Sequence, residues 1–372
     1  MTLDLAPDPD PETDEGRLAW LRLARSRNVG AASFRRLLNR FGTAEKAVEA
    51  LPGLAARGGA RAYEACSLRQ GEAEMEHAAI VGARMLRLGS PDYPAALAEI
   101  PDPPPFLWAL GDPALAADPG VAVIGARNAS SIGLRMARLL AGGLGEAGHV
   151  VVSGLARGID AAAHGAALET GTVAVLAGGV DHIYPKENEA LAGEIAEKGL
   201  LVSEAPMGLA PQGRHFPRRN RIVSGLSRGV VLIEAAARSG SLITARFALE
   251  QGREAMAAPG APLDPRAEGC NDLIRHGAAL IRSVEDVEEA LAAPRTLSFR
   301  EEEEIYDPPP EAPPPEDLSA RAAALLGPAA VEVDDLARDL DVPPSHLAAA
   351  LIELELAGAI ERRAGGLVAL AG

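Results

Sequence analysis

Between about residues 88 and 293 the chain repeats one pattern: a short apolar run unbroken by charge, then a segment with apolar residues at helical spacing. The runs are VAVIG (121–125), HVVVSG (149–154), TVAVLAGG (172–179), LLVSEAP (200–206), GVVLIEA (229–235) and REAMAAPG (253–260), with AALIRS (278–283) as a further candidate. Helical spacing fills the intervals 132–145, 160–170, 187–197 and 241–251. A strand that is apolar at every position must be covered on both faces, and strands separated by single helices run in the same direction. The pattern predicts an α/β fold, a doubly wound Rossmann-like parallel sheet spanning 88–293.

The flanking segments read differently. Residues 1–16 hold six acids and no base and read as a disordered acidic tail. Residues 17–75 read as a small helical domain rich in Ala, Leu and Arg, broken at Gly30, Gly42 and the Pro52-Gly53 turn. Within it NVGAASFRRLLNRFG, followed by LPGL, has the outline of a SAM-like or helix-hairpin-helix-like element, whose helix N-termini and backbone amides approach phosphates. A helical module used only for packing or partner binding fits the same residues. Residues 294–317 contain seven prolines and the acid run 301–304, the composition of an extended, self-repelling linker. Residues 318–372 give three helical stretches and then AGAIERRAGGLVAL, the order of a winged-helix domain. Its third helical stretch, 344–356, has no base, and its wing has only Arg362 and Arg363. Duplex contact needs several phosphate-neutralising side chains, so protein contact is the expectation for this module.

The net charge of −16 argues against a polyanionic ligand, but its distribution does not. Residues 301–317 carry eight acids and no base, whereas 120–282 hold 17 Arg or Lys against 15 Asp or Glu. A site responds to its local field, screened over roughly 8–10 Å at physiological salt. Two cysteines, Cys66 and Cys270, exclude a disulfide framework and a Cys-based zinc site, and the scattered histidines suggest no metal. The opening residues lack the features of a signal peptide and no run is apolar enough to span a membrane, so a cytoplasmic protein is expected.

Doubly wound sheets present ligands at the carboxyl ends of their strands, where strand order reverses. Three glycine-bearing turns fall at such ends: Gly125-Ala126-Arg127-Asn128, Ser153-Gly154-Leu155-Ala156-Arg157-Gly158, and Gly178-Gly179. The first is not G-x-G-x-x-G, which disfavours a dinucleotide, and no cofactor is expected. With Arg127, Arg157 and Lys186 nearby, the turns predict a phosphate-binding crevice. GRHFPRRNRIVSGLS (213–227) adds Arg218, Arg219, Asn220 and Arg221 without an acid, on a loop and a helix start. Arginine forks suit phosphate oxygens, which predicts weak sequence preference and strong salt dependence. Asp160 and His164 share a helix face, and Asp160 is expected to cap that helix. No catalytic residue is assigned. The alternative reading is a hydrolase acting on nucleotide or sugar phosphates, with Glu204 or Glu234 as its acid.

VAVIGARNASSIG, VVSGLARGIDAAAHGAAL, GGVDHIYPKEN, SEAPMG, FPRRNRIVSGLS, SGSLITARFALEQGREAMAAPG and GCNDLIRHGA, in this order across about 90–285, together resemble the DNA-processing protein A family (DprA, also called Smf). The helical front end and the winged-helix tail resemble accessory modules of many members. The resemblance implies a non-enzymatic mediator that binds single-stranded DNA in natural transformation, protects it, and helps load the RecA recombinase, as a homodimer. It implies that Arg127 and Lys186 contact phosphates, that Gly125, Ser153, Gly154, Gly158, Gly178 and Gly179 line the pocket, and that Arg218 to Arg221 lie close by. The family's serine before the arginine of the first turn is Ala126 here.

Overall fold

The computed structural model describes residues 13–292, 317–327, 329–363 and 367–371. The proline- and acid-rich stretch expected as a linker, apart from Asp317, and most of the expected acidic tail lie outside these residues, as does the Gly365-Gly366 turn of the wing. The described residues form two compact units, one over 74–292 and a second in which 13–73 and those from 317 onward come together.

The amino-terminal part is helical: α1 (Asp14–Arg25), α2 (Ala31–Phe41), α3 (Ala44–Arg57) and α4 (Leu68–Val81), the last running across the division between units. Helix α1 starts inside the stretch expected to be a tail. Thr13 accepts a hydrogen bond from the Gly16 amide, Asp14 and Glu15 face the positive helix end, and Arg22 and Arg25 the negative one. This capping turns the last residues of an acidic segment into a helix start. Trp20, Leu21, Leu23, Phe34, Leu37, Leu51 and Leu54 form the core of this module.

The large unit is built on a nine-stranded sheet. Its strands are β1 (Arg84–Arg87), β2 (Phe106–Gly111), β3 (Gly120–Gly125), β4 (Val151–Ser153), β5 (Thr172–Val175), β6 (Leu200–Ser203), β7 (Ser227–Ile233), β8 (Glu254–Ala257) and β9 (Ala279–Leu280), in the order β1-β2-β6-β5-β4-β3-β7-β8-β9. From β6 to β9 every pairing is parallel. The expected parallel core is therefore present, with β1 and β2 added antiparallel at one edge. Of these β1 lies ahead of residue 88, and neither strand was among the expected runs: RMLR carries a charge at each end, and FLWALG follows a proline stretch that reads as a turn.

The intervening helices are α5 (Ala95–Ala98), α6 (Ser131–Glu146), α7 (Ile159–Ala166), α8 (Glu189–Lys198), α9 (His215–Gly225), α10 (Ser241–Glu250), α11 (Glu268–Arg275) and α12 (Val284–Ala292). Val121, Val123, Val151 and Val231 pack with Ala137, Leu140 and Leu144 of α6, Ile159 and Ala163 of α7, and Val287 of α12. Helices α9 and α10 pack on β7 and on each other. β3 and β7 are neighbours, while the chain leaves β3 for β4 on its other side. Strand order reverses there, which opens the sheet's crevice at the carboxyl ends of β3 and β7.

In the second unit α13 (Leu318–Leu325), β10 (Val331–Glu332), α14 (Val333–Leu340), α15 (Pro344–Ala357), β11 (Ile360–Arg363) and β12 (Leu367–Leu370) make a winged-helix domain. The order is the expected one, with β10 added to give the three-stranded sheet β10-β12-β11. Leu318, Ala322, Leu336, Leu347, Leu351 and Val368 form its core. Helix α15, which would read a duplex in such a domain, packs against α3 of the amino-terminal module.

Candidate nucleic-acid interface

The crevice between β3 and β7 is filled from within. Glu234 follows β7 with a left-handed φ of 52°. Its carboxylate accepts hydrogen bonds from the Ser130 amide at 2.8 Å and from the Ser130 hydroxyl, at the start of α6. A Cβ on Gly133 would lie 2.6 Å from the carboxyl carbon. The position that would otherwise suit a nucleotide phosphate, a helix N-terminus at a switch point, already holds an anion. Gly125 serves packing here, since a Cβ would lie 1.7 Å from the Ile233 carbonyl oxygen. Gly158 has φ 79° and lies against the Ala126 carbonyl, so it locks the first two turns together.

The arginine segment is helical from His215 to Gly225, so less of it is loop and more of it is helix than the expected loop and helix start. Along α9 only Arg218 of the four predicted residues stays exposed, while Arg219, Asn220 and Arg221 are buried. Arg219 donates to the carbonyls of Gly154 and Val175, the latter at 2.9 Å, and to the Asn220 side chain at 3.2 Å. Asn220 in turn donates to the Gly240 carbonyl at 3.2 Å. Arg221 makes a fork with Glu204, 3.0 and 2.7 Å, and reaches Asp102 at 2.9 Å. Burial works against the Arg221 charge, but Glu204 and Asp102 outweigh it and hold the guanidinium above its ordinary value. These three residues tie α9 to the sheet and to the loop before β2, so they are not available to a ligand. The run RRNR shows charge but not direction, and successive helix residues point about 100° apart.

Ser153 and Gly154 are likewise interior: the Ser153 hydroxyl donates to the Val123 carbonyl at 2.7 Å, and a Cβ on Gly154 would meet the Arg219 guanidinium. Gly178 and Gly179 are buried against the backbone of 206–211. These glycines shape the turns from beneath and do not line a surface.

Asp160 does not cap its helix, whose N-cap is Gly158. The carboxylate folds back to accept from the Gly154 and Ala156 amides at 3.2 and 3.3 Å, shaping the turn after β4. Burial pushes its carboxyl above the ordinary range, against the pull of Arg219. His164 is fully buried: Nε2 accepts from the Leu155 amide, and Nδ1 lies 2.7 Å from the Thr172 hydroxyl, whose proton goes to the Val151 carbonyl. Nδ1 is therefore the protonated nitrogen of a neutral ring. Burial, reinforced by Arg219, drops its pKa to about 3. A histidine held neutral when folded and free to protonate near 6.5 when unfolded stabilises the protein fully above pH 6.5. That stability falls by about 1.4 kcal/mol per pH unit on the way down towards pH 3. His164→Gln should flatten this acid branch of urea-denaturation midpoints between pH 6.5 and 4; an unchanged slope would remove His164 as its source.

Several cations stay exposed at the carboxyl edge. Arg127 follows β3, Arg157 follows β4, Lys186 lies in the loop after β5, and Arg214 and Arg218 follow β6. Arg157 pairs with Glu187 at 3.2 Å. Among the described residues Arg127, Lys186 and Arg218 have no carboxylate within ion-pair distance. The Arg127 guanidinium sits 5.0 Å from the centre of the Phe216 ring, and Phe216 lies 6.0 Å from Tyr184, which is half exposed. This arginine–phenylalanine–tyrosine chain joins the loops after β3 and β5 to the first turn of α9. A cleft of about 620 Å³ opens beside it, lined by Arg127, Asn128, Arg138, Gly158 and the small residues of α7. Tyr184 and Phe216 are among the few aromatics of this stretch, and from sequence phosphate contact is expected to outweigh stacking on them.

Comparison with known proteins places this geometry. Residues 84–292 match the family described as DNA recombination-mediator protein A, residues 14–79 a DprA-like N-terminal HHH domain, and residues 307–366 the DprA winged helix domain. The DNA processing protein DprA of Bacillus subtilis (strain 168) is 45% identical over 213 residues, 56% of this chain and 72% of that protein. Protein Smf of Escherichia coli (strain K12) is 41% identical over 285 residues, 75% of each chain. The X-ray structure of DprA from Streptococcus pneumoniae aligns with a TM-score of 0.62 at 35% identity, covering 74% of this chain and 98% of that one. DNA processing protein A from Helicobacter pylori, solved for its single-stranded DNA binding mode, aligns with a TM-score of 0.52 at 31% identity, covering 57% and 97%. Matched across its sheet and both accessory domains, the chain belongs to the DNA recombination-mediator protein A family, the DprA proteins.

Proposed function

We propose that the large unit binds single-stranded DNA along the carboxyl edge of its sheet, protects it, and passes it to the RecA recombinase, working as a homodimer. The observation that carries the reading is the Arg127–Phe216–Tyr184 chain flanked by Lys186 and Arg218. It sets unpaired cations beside an exposed aromatic face, the combination that holds a strand by its phosphates and lets bases stack without sequence choice. The binding mode reported for the Helicobacter pylori relative supports the same ligand. A nucleotide-phosphate hydrolase has less support. Its two candidate acids are committed, Glu204 to Arg221 and Glu234 to Ser130.

Fluorescence anisotropy with labelled single- and double-stranded oligonucleotides across a salt series tests the proposal. Salt-sensitive preference for the single strand is expected, weakened by a similar factor for all sequences in Arg127→Ala and in Lys186→Ala. Absence of binding to either form would overturn it. Sedimentation of the free chain reads the dimer, and the rate of RecA filament formation on strands precoated with the chain reads the hand-over.

A further inference from the structure

The amino-terminal module and the winged-helix domain carry opposite charge. Residues 17–61 hold ten Arg or Lys against two Glu, whereas residues 318–372 hold eight Asp or Glu against four Arg. The two meet through the acids of α15. Glu353 pairs with Arg57 of α3 at 2.9 Å, and the Ser33 hydroxyl, in the first turn of α2, donates to Glu355 at 2.5 Å. Asn28, in the turn before α2, donates to the Leu356 carbonyl at 3.1 Å. Gly58 lies so close that a Cβ there would be 2.0 Å from the Glu353 carbonyl oxygen. The N-terminus of α2 has no side-chain cap and no acid in its first turn, so the carboxylate of Glu355 supplies its negative charge from outside.

The cation side is in excess at this contact. Glu355 also serves Arg362 at 3.3 Å and lies near Arg36. Yet among the described residues Arg36 and Arg362 each keep one buried guanidinium nitrogen without a hydrogen-bond partner. One carboxylate with two acceptor oxygens does not satisfy what these side chains offer. A phosphodiester backbone, with a charge and two free oxygens at every step, would.

We infer that the hairpin between α1 and α2, with Arg36 and Arg57, is a second nucleic-acid site, whose ligand is the phosphodiester backbone, and that Glu353 and Glu355 of α15 occupy it as a stand-in for phosphate. The helix that reads duplex DNA in other winged-helix domains is here an acidic cover for its neighbour. The inference does not rest on the reading of the large unit, since it concerns different residues.

The test uses the full chain carrying Arg127→Ala, Lys186→Ala and Arg218→Ala, so that binding at the sheet edge does not mask the second site. Two independent changes open the contact. Glu353→Gln/Glu355→Gln removes the charge while keeping shape, and Gly58→Leu drives an uncharged side chain into the α15 backbone without touching the acids. Each should tighten binding of a labelled duplex by about tenfold and steepen its salt dependence by about 0.9 per phosphate gained. Removing two exposed charges elsewhere in the domain, Asp334→Asn/Asp339→Asn, should leave the affinity unchanged. A single-stranded probe run in parallel tells which form of the backbone is preferred. Folded variants with no gain for either probe, or an equal gain in the α14 control, would overturn the inference.

Discussion

Arg219→Ala is expected to destabilise the large unit by about 3–5 kcal/mol, the cost of leaving a buried charge without its partner. Among the described residues the guanidinium is the only cation acting on the buried Asp160, and it also satisfies the carbonyls of Gly154 and Val175 at the ends of two central strands. Removing it leaves those acceptors dry and Asp160 uncompensated. The midpoint of urea denaturation should fall with little change in slope, because the substitution leaves the surface newly exposed on unfolding almost unaltered. Arg218→Ala, one residue earlier and exposed, should move stability by no more than about 0.5 kcal/mol. Adding Asp160→Asn to Arg219→Met should recover part of the loss, since the pair is then removed together. Equal effects of Arg218→Ala and Arg219→Ala would contradict the division of α9 into a buried and an exposed side.

Arg127→Ala/Lys186→Ala/Arg218→Ala should have the largest effect on binding while leaving the fold intact. Each exposed cation that neutralises a phosphate contributes about 0.7 to the slope of log affinity against log salt for a single strand. The triple exchange should therefore flatten that slope by about 2. If each contact is worth about 1 kcal/mol, affinity near physiological salt falls by roughly two orders of magnitude. Tyr184→Ala should instead weaken binding by about 1–3 kcal/mol with the slope unchanged, because stacking releases no counterions. Parallel curves for wild type and triple variant would place the strand elsewhere.

Direction within a segment is where sequence reading stops. The parallel sheet was legible because strands buried on both faces must be apolar throughout, and that shows in VAVIG and GVVLIEA without any knowledge of partners. The antiparallel edge, β1 and β2, was not, because RMLR has no distinctive pattern and its place depends on pairing with a distant strand. Arg127, Lys186 and Arg218 were legible as candidates and are exposed at one edge. Arg219, Asn220 and Arg221 had the same chemical signal, yet the helix turns them inward against carbonyls and carboxylates contributed by distant parts of the chain. Glu234 was read as a possible acid; only the approach of the β7 end to the start of α6 makes it the anion that fills the switch point.

The sequence by itself determined the strands of the parallel core and most of the helices between them, the helical character of the front end and the winged-helix order of the tail, and which residue types could meet a phosphate. Those properties follow from local periodicity and chemistry. Which arginines face solvent, which carboxylates are already taken, and that the acids of α15 meet the basic front end were decided only by tertiary structure. Each depends on burial and on partners tens to hundreds of residues away, and an ionised side chain takes its role from what lies within a few ångströms of it.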